Sequence, residues 1–375
     1  MSSNIRVLIV DDSAFIRNAL SGMLSKAPGI DVVGIAHHGE EALMKVKKLS
    51  PDVMTLDIEM PGINGMQVLE SVMAHSPLPV IMVSSLTQES AWETLHALEL
   101  GAIDFISKQL NGSILNISKI EKILVSKVKA AAKAKVFKKC IAQATLNRRK
   151  AADSPYSRVK LERYNEIGSV PGSVVIIGSS TGGPRVVQEI LEEFPSTFSA
   201  AVVIVQHMPK FFTKSFAERL NQVCPLRVDE AKDGDPLVSG QVLVAPGSQH
   251  IQLESHADRQ VRVRVSREPV DLPYRPSIDL AMESAAKIFG PSVVGVILTG
   301  MGNDGARGIQ AINTAGGCSL VQDEETSVIY GMPKAAIENG DVDAVMPGSR
   351  IASEIISRIS LVNKHEMQYH VKISK

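Results

Sequence analysis

Residues 174–183 read Val-Val-Ile-Ile-Gly-Ser-Ser-Thr-Gly-Gly. An apolar, β-branched run ends in a glycine-rich turn, and helical periodicity begins at once over 185–193. A strand fed through a tight turn into a helix is the building unit of parallel α/β sheets. The same pattern extends in both directions. In this half of the chain, strands are expected over 174–177, 201–205, 241–244, 261–265, 293–298 and 318–321. Helices are expected over 185–193, 211–221, 278–289, 304–314, 333–339 and 349–360. Nearer the N-terminus, strands at 6–10, 32–36, 53–56, 80–83 and 105–107 alternate with helices at 14–24, 40–48, 66–73 and 90–99. Alternation of this kind predicts two α/β domains, each with helices on both faces of its sheet.

Between them lies a different composition. Residues 119–150 hold eleven Lys or Arg against the single acid Glu121, a net charge of +10. The whole chain of 375 residues is neutral, with 40 basic and 40 acidic residues, so the remainder carries −10. Ile120, Leu124, Val128 and Ala131 keep helical spacing, which makes this segment a continuation of the last helix of the first domain. Residues 151–170 have no periodicity and read as linker. The boundaries expected are 1–126 for the first domain, 127–170 for the basic linker, 171–362 for the second domain and 363–375 for a C-terminal tail. The basic run is either a solvated face or a docking segment for a partner or an anionic surface.

Composition excludes several classes. Hydrophobic residues at 44% and charged residues at 21% describe a soluble globular chain rather than a disordered one. Neutral total charge and no basic helix-turn-helix after Pro171 argue against a nucleic-acid binder. Cys140, Cys224 and Cys318 are widely spaced, without metal-ligand spacing, as expected of reduced thiols. The first apolar stretch, Val7 to Val10, is cut short by Asp11 and Asp12, and no run approaches ~18 apolar residues. A cytoplasmic location is expected.

In open parallel sheets, ligands sit beyond the carboxyl ends of the strands. In the first domain those ends carry Asp11 and Asp12, Asp57, Ser84 and Lys108. Clustered carboxylates need a hard cation such as Mg²⁺. Asp57 is the candidate acceptor of a phosphoryl group, with Lys108 and Ser84 offsetting charge on its oxygens. A lone Asp after a strand is usually a helix cap or a solvated turn residue; the set does not read that way. With Asp57-Ile-Glu-Met-Pro61 and Gly65, the segment resembles a response-regulator receiver domain over residues 4–129. That resemblance implies a flavodoxin-like five-stranded parallel sheet, Mg²⁺ ligated around Asp11, Asp12 and Asp57, and Phe105 as a further switch residue. It departs at Lys108-Gln109, where the family has Lys-Pro.

In the second domain, Gly178-Ser-Ser-Thr-Gly182 presents Ser180 on a G-x-S-x-G elbow, a turn that exposes a serine hydroxyl. A phosphate loop is the competing reading, but its lysine is missing. The strand ending near Val205 leads into Gln206-His207-Met208-Pro209, which makes His207 the candidate base, with His250 as runner-up. Residues 299–305, Thr-Gly-Met-Gly-Asn-Asp-Gly, supply Asp304 as the orienting acid, unless it only caps the next helix. The order Ser, His, Asp differs from that of the α/β-hydrolases.

Together with Phe216-Ala-Glu-Arg-Leu-Asn221 and Gly331-Met-Pro333, these motifs resemble the catalytic domain of the chemotaxis receptor methylesterases (CheB type) over about residues 172–346. The resemblance implies a mostly parallel α/β/α domain with a β-hairpin and a serine esterase that needs no cofactor for hydrolysis. It also implies that glutamate γ-methyl esters on chemoreceptors are hydrolysed to glutamate and methanol, with deamidation of receptor glutamines. Thr181 and the Met301 loop would line the oxyanion and acyl site. A chemotaxis histidine kinase would phosphorylate Asp57 and relieve a block imposed by the first domain. The residues themselves leave a different ester substrate open.

Overall fold

The computed structural model describes residues 4–85, 87–108, 114–134, 170–340 and 342–373. The chain forms two compact units, Met1–Ala152 and Asp153–Lys375. Residues 135–169, which include most of the expected linker, and Gln109 lie outside the described residues.

The first unit runs β1 (Ile5–Val10), α1 (Ala14–Ser25), β2 (Ile30–Ala36), α2 (Gly39–Leu49), β3 (Val53–Asp57), α3 (Gly65–His75), β4 (Val80–Ser84), α4 (Gln88–Glu99), β5 (Asp104–Ser107) and α5 (Ile114–Ala131). Its sheet is parallel, in the order β2-β1-β3-β4-β5. Helices cover both faces, so Val7, Leu8, Ile9 and Val10 are all fully buried, and β1 is apolar without alternation. Each such side chain contributes about 1.5–3 kcal/mol through burial. The helices start where side chains replace lost backbone partners. Asn64 and Gln67 form a reciprocal capping box on α3, and Thr87 and Ser90 form another on α4. The start of the basic segment belongs to α5, where Leu124, Val128 and Ala131 are buried; its residues from 135 on lie outside the described residues.

The second unit runs β6 (Val174–Ser179), α6 (Gly183–Glu192), β7 (Ala201–Gln206), α7 (Lys210–Val223), β8 (Arg227–Glu230), β9 (Gln241–Val244), β10 (His250–Ser255), β11 (Val261–Ser266), α8 (Ile278–Phe289), β12 (Val293–Ile297), α9 (Ala306–Thr314), β13 (Cys318–Gln322), α10 (Met332–Asn339), β14 (Ala344–Met346) and α11 (Gly348–Ile373). Seven strands form a parallel sheet in the order β14-β13-β12-β6-β7-β9-β8. Strands β10 and β11 form the separate antiparallel hairpin. Its inner residues Ile251, Leu253, Val261 and Val263 share one core with Ile278, Ala281, Met282 and Ala285 of α8. Strand β6 sits between β7 and β12, so the chain leaves it in both directions and opens a crevice at its carboxyl end.

Strands β8, β10 and β14 are additions to the sequence reading. Helix α11 runs on to Ile373, past the expected end at 360. The expected helix over 304–314 begins only at Ala306, because Gly305 holds a left-handed conformation (φ 95°) as its N-cap. Asp304 is therefore in the loop.

At Gly65, where α3 starts, a Cβ would fall onto the carbonyl oxygen of Asp57. Gly65→Ala should destabilise the first unit by about 1–3 kcal/mol, as overpacking against backbone does. The chain's single tryptophan, Trp92, lies on α4, so the fluorescence-detected urea transition reports this unit. An unchanged midpoint would contradict the crowding seen at this glycine.

Candidate active site

Three adjacent strands deliver the three candidate residues of the second unit. Ser179 on β6 pairs with Gln206 on β7, so Ser180 and His207 follow at matching positions on strands about 4.8 Å apart. The amide of His207 donates to the Ser179 carbonyl (3.0 Å), and that of Ser180 to the Thr299 carbonyl (3.1 Å). Gly300 is in turn packed on Ser180, whose Cβ would be 2.8 Å from any Cβ placed there. The Met301 loop thus flanks Ser180 on one side, and Thr181 follows it on the other. The buried Thr181 has its carbonyl held by Thr299 Oγ1 (3.0 Å). Gly182 N-caps α6 at φ 78°, with Val328 filling the space a side chain would need.

His207 Nε2 donates to Asp304 Oδ2 at 2.8 Å. Asp304 is 4% exposed, yet its carboxylate is fully provided for. It accepts from the amides of Ile278 (2.8 Å) and Asp279 (3.1 Å) and from Ser277 Oγ (3.1 Å). These are the first groups of α8, so the carboxylate sits on a helix N-terminus that favours negative charge. Burial pushes its pKa up, but His207 and these donors outweigh it and hold the carboxyl below its ordinary value. Asp304 caps a helix, but not its own. Asp279 makes the reverse connection, accepting from the amides of Gly305 and Gly308 (both 2.9 Å) at the start of α9 and from Arg307 Nε (3.0 Å). The two helices exchange caps.

His250 is buried with both ring nitrogens engaged. Nδ1 accepts from the Ser277 amide (3.2 Å), and Nε2 donates to the Pro269 carbonyl (3.1 Å). Burial lowers its pKa, and with both ring nitrogens engaged it braces the start of α8. Ser179 is likewise structural: fully buried, it donates to Gln206 Oε1 (2.5 Å), while Gln206 Nε2 donates to the Ser180 carbonyl (2.9 Å). Sequence reasoning missed Tyr274, whose ring stacks on His207. Its setting, Leu-Pro-Tyr-Arg-Pro, carries no periodicity that would have pointed to it.

In the first unit, Asp11, Asp12 and Asp57 each bring a carboxylate oxygen within 4.8 Å of the others. Asp11 is fully buried, Asp57 is 1% exposed, and Asp12 faces solvent. Lys108 Nζ lies 2.6 Å from Asp57 Oδ2 and 3.4 Å from Asp11 Oδ2, one ammonium shared between two buried carboxylates. Two buried oxygens with lone pairs to spare, beside a third carboxylate, fit a hard divalent cation such as Mg²⁺. Desolvation and the neighbouring Asp11 push Asp57 up to about 6, against the opposing pull of Lys108. Ser84 is buried at the end of β4, accepting from Thr94 Oγ1 (2.8 Å). Phe105 is buried on β5, with Lys127 Nζ 5.3 Å from its ring centre.

None of the described helices is long and apolar enough to cross a membrane. Residues 175–355 match the family model of the CheB methylesterases, and residues 7–117 that of response-regulator receiver domains. A protein-glutamate methylesterase/protein-glutamine glutaminase of Oleidesulfovibrio alaskensis is 44% identical over 95% of this chain and 99% of its own. A protein-glutamate methylesterase/protein-glutamine glutaminase of Pyrococcus horikoshii is 41% identical, over 100% of this chain and 99% of its own. The CheB methylesterase catalytic domain of Thermotoga maritima, a solved structure, is 41% identical over 50% of this chain and 99% of its own, with a TM-score of 0.49.

The raised pKa of Asp57 has a stability consequence. The unfolded chain loses this proton near pH 4 while the folded one keeps it to about 6, so stability falls as pH rises between those values. Asp57→Asn should therefore stabilise the first unit by about 2–3 kcal/mol at pH 8 in chelator. The gain should vanish below about pH 4. Trp92-detected melts across this range would contradict the burial argument if the variant were no more stable at pH 8.

Proposed function

The chain belongs to the CheB family of receiver-linked protein-glutamate methylesterases/protein-glutamine glutaminases, and from that premise we propose how its own residues carry out and control the reaction. Ser180 Oγ attacks the γ-carbonyl of a methylated glutamate on a chemoreceptor, and its proton passes to His207. Asp304 occupies Nε2, so the nitrogen that takes the proton is Nδ1. This use of the ring is the reverse of the one in which the acid holds Nδ1. The tetrahedral intermediate expels methanol, which leaves with the proton from His207. Water, deprotonated by the same nitrogen, then cleaves the acyl-enzyme to glutamate and regenerates Ser180. A receptor glutamine follows the same path with ammonia as the leaving group. Thr181 and Met301, on the two segments beside Ser180, stabilise the oxyanion.

The observation that carries this reading is the His207–Asp304 hydrogen bond at the carboxyl edge of the strand next to Ser180. A buried carboxylate held in its charged form stabilises the imidazolium that proton transfer creates.

Asp57 accepts the phosphoryl group from a chemotaxis histidine kinase. Lys108 and Ser84 hold the transferred oxygens, and Phe105 belongs to the switch that responds. Asp11, Asp12 and Asp57 are the residues that would hold Mg²⁺, which when bound supplies positive charge against the phosphoryl oxygens. The protein works in the cytoplasm, where kinase and receptor helices are both accessible. Phosphorylation raises esterase activity.

Ser180→Ala should lower methanol release from methylated receptor membranes by on the order of 10⁴–10⁶. His207→Ala should lose nearly as much, and Asp304→Asn less. Retention of more than about a tenth of the wild-type rate by Ser180→Ala would move the nucleophile elsewhere. Separately, Asp57→Asn should take up no phosphate from a small phosphodonor, and its methanol release should not respond to that donor. Wild-type uptake by this variant would remove Asp57 from its role.

A further inference from the structure

The imidazole of His207 is held at one atom by Asp304 and along one face by something else. The Tyr274 ring lies against it with centroids 4.7 Å apart and planes 2° from parallel. The segment that carries this tyrosine is tied on both sides. Upstream, the Pro269 carbonyl accepts from His250 and the Val270 carbonyl from Arg275 Nη2 (2.8 Å). Downstream, the Ser277 amide donates to His250 and its hydroxyl to Asp304. The phenol end of Tyr274 occupies the space a side chain on Gly302 would need, which sets it against the Met301 loop. The ring is therefore fixed by the same α8 N-terminus that fixes Asp304.

A single hydrogen bond leaves the imidazole free to rock about its Cβ–Cγ bond, a torsion with broad wells. Rocking keeps Nε2 near Asp304 but swings Nδ1 away from the serine. A flat ring laid parallel to the whole imidazole face opposes that swing. Taking His207 as the base, as in the function proposed above, we propose that Tyr274 is a positioning residue for the esterase reaction: its ring clamps the imidazole in the plane where Nε2 meets Asp304 and Nδ1 serves Ser180. The clamp requires the aromatic face and not the hydroxyl.

The test uses the full chain and two readouts. One is methanol release from methylated receptor membranes, resolved into kcat and KM. The other is the rate at which a small fluorophosphonate labels the protein, which needs an activated serine but no receptor. Tyr274→Ala should lower kcat and the labelling rate together by about 10–100-fold, as misplacement by about an ångström does, with KM within about twofold. Tyr274→Phe should stay within about threefold of wild type in both. If the alanine variant does not fold, Tyr274→Leu, which keeps bulk without an aromatic face, replaces it with the same expectation. Wild-type kcat and labelling in the alanine or leucine variant would overturn the proposal, as would a rise in KM alone. A phenylalanine variant as slow as alanine would overturn it too, by assigning the effect to the hydroxyl. Ser180→Ala is run in parallel: its labelling at the wild-type rate would refute Ser180 as nucleophile whatever Tyr274 does.

Discussion

A carboxylate can orient a histidine from inside a protein only if it stays charged there, and that requirement organises much of the second unit. Burial alone would drive Asp304 toward its neutral form, which could neither orient nor stabilise an imidazolium. The fold answers with donors. The start of α8 supplies two amides and a hydroxyl, and His250 on the hairpin anchors Ser277, the residue that begins this helix. The β10–β11 hairpin is outside the main sheet, yet its first residue supports the acid. Gly305, by taking the left-handed conformation, lets Asp304 leave the helix that its sequence position suggests and reach α8 instead.

The first unit places the same kind of group at the same kind of sheet edge and gives it the opposite environment. Asp57 receives one marginal amide contact, from Glu59 at 3.2 Å, and faces a second buried carboxylate. Burial pushes Asp57 up, Asp11 adds to the push and Lys108 offsets only part of it, so the pKa rises where that of Asp304 falls. Position at the carboxyl edge thus says little about charge state. The balance between burial and the donors and charges around each carboxylate decides it. One carboxylate is saturated by the protein and suits a fixed electrostatic role; the other keeps lone pairs available and suits exchange of ligands.

Much of this is legible in the sequence because the decisive residues come directly after long buried strands. Continuous apolar runs such as Val7 to Val10 or Val202 to Val205 mark central strands of a parallel sheet, and the residues at their carboxyl ends lie at the site. Ser180, His207 and Asp57 are reached this way, whereas Asp304 lies past Ile297 and is marked by the glycine-rich turn 299–305. Short or polar strands are not legible: β8 is Arg-Val-Asp-Glu at the sheet edge, and β14 has three residues. Whether Asp304 caps its own helix cannot be decided from Thr-Gly-Met-Gly-Asn-Asp-Gly, because the answer depends on a helix remote in sequence. Asp279 reads as an ordinary acid in a first helical turn, and nothing marks it as the cap of a different helix. Tyr274 lies between two prolines, where the backbone path is set by tertiary contacts rather than by periodicity.

The exchange of caps between α8 and α9 makes the two helices one cooperative element. Opening the start of either would strand a buried carboxylate and the amides it binds in the other, so neither end can fray alone. Native-state opening in this region is then all or none, and the amides of Ile278, Asp279, Gly305 and Gly308 share a single opening free energy. Helix starts are ordinarily among the first places where backbone protons meet solvent. Here the two starts are fastened to each other, and Asp304 shares that persistence without any rigidity of its own.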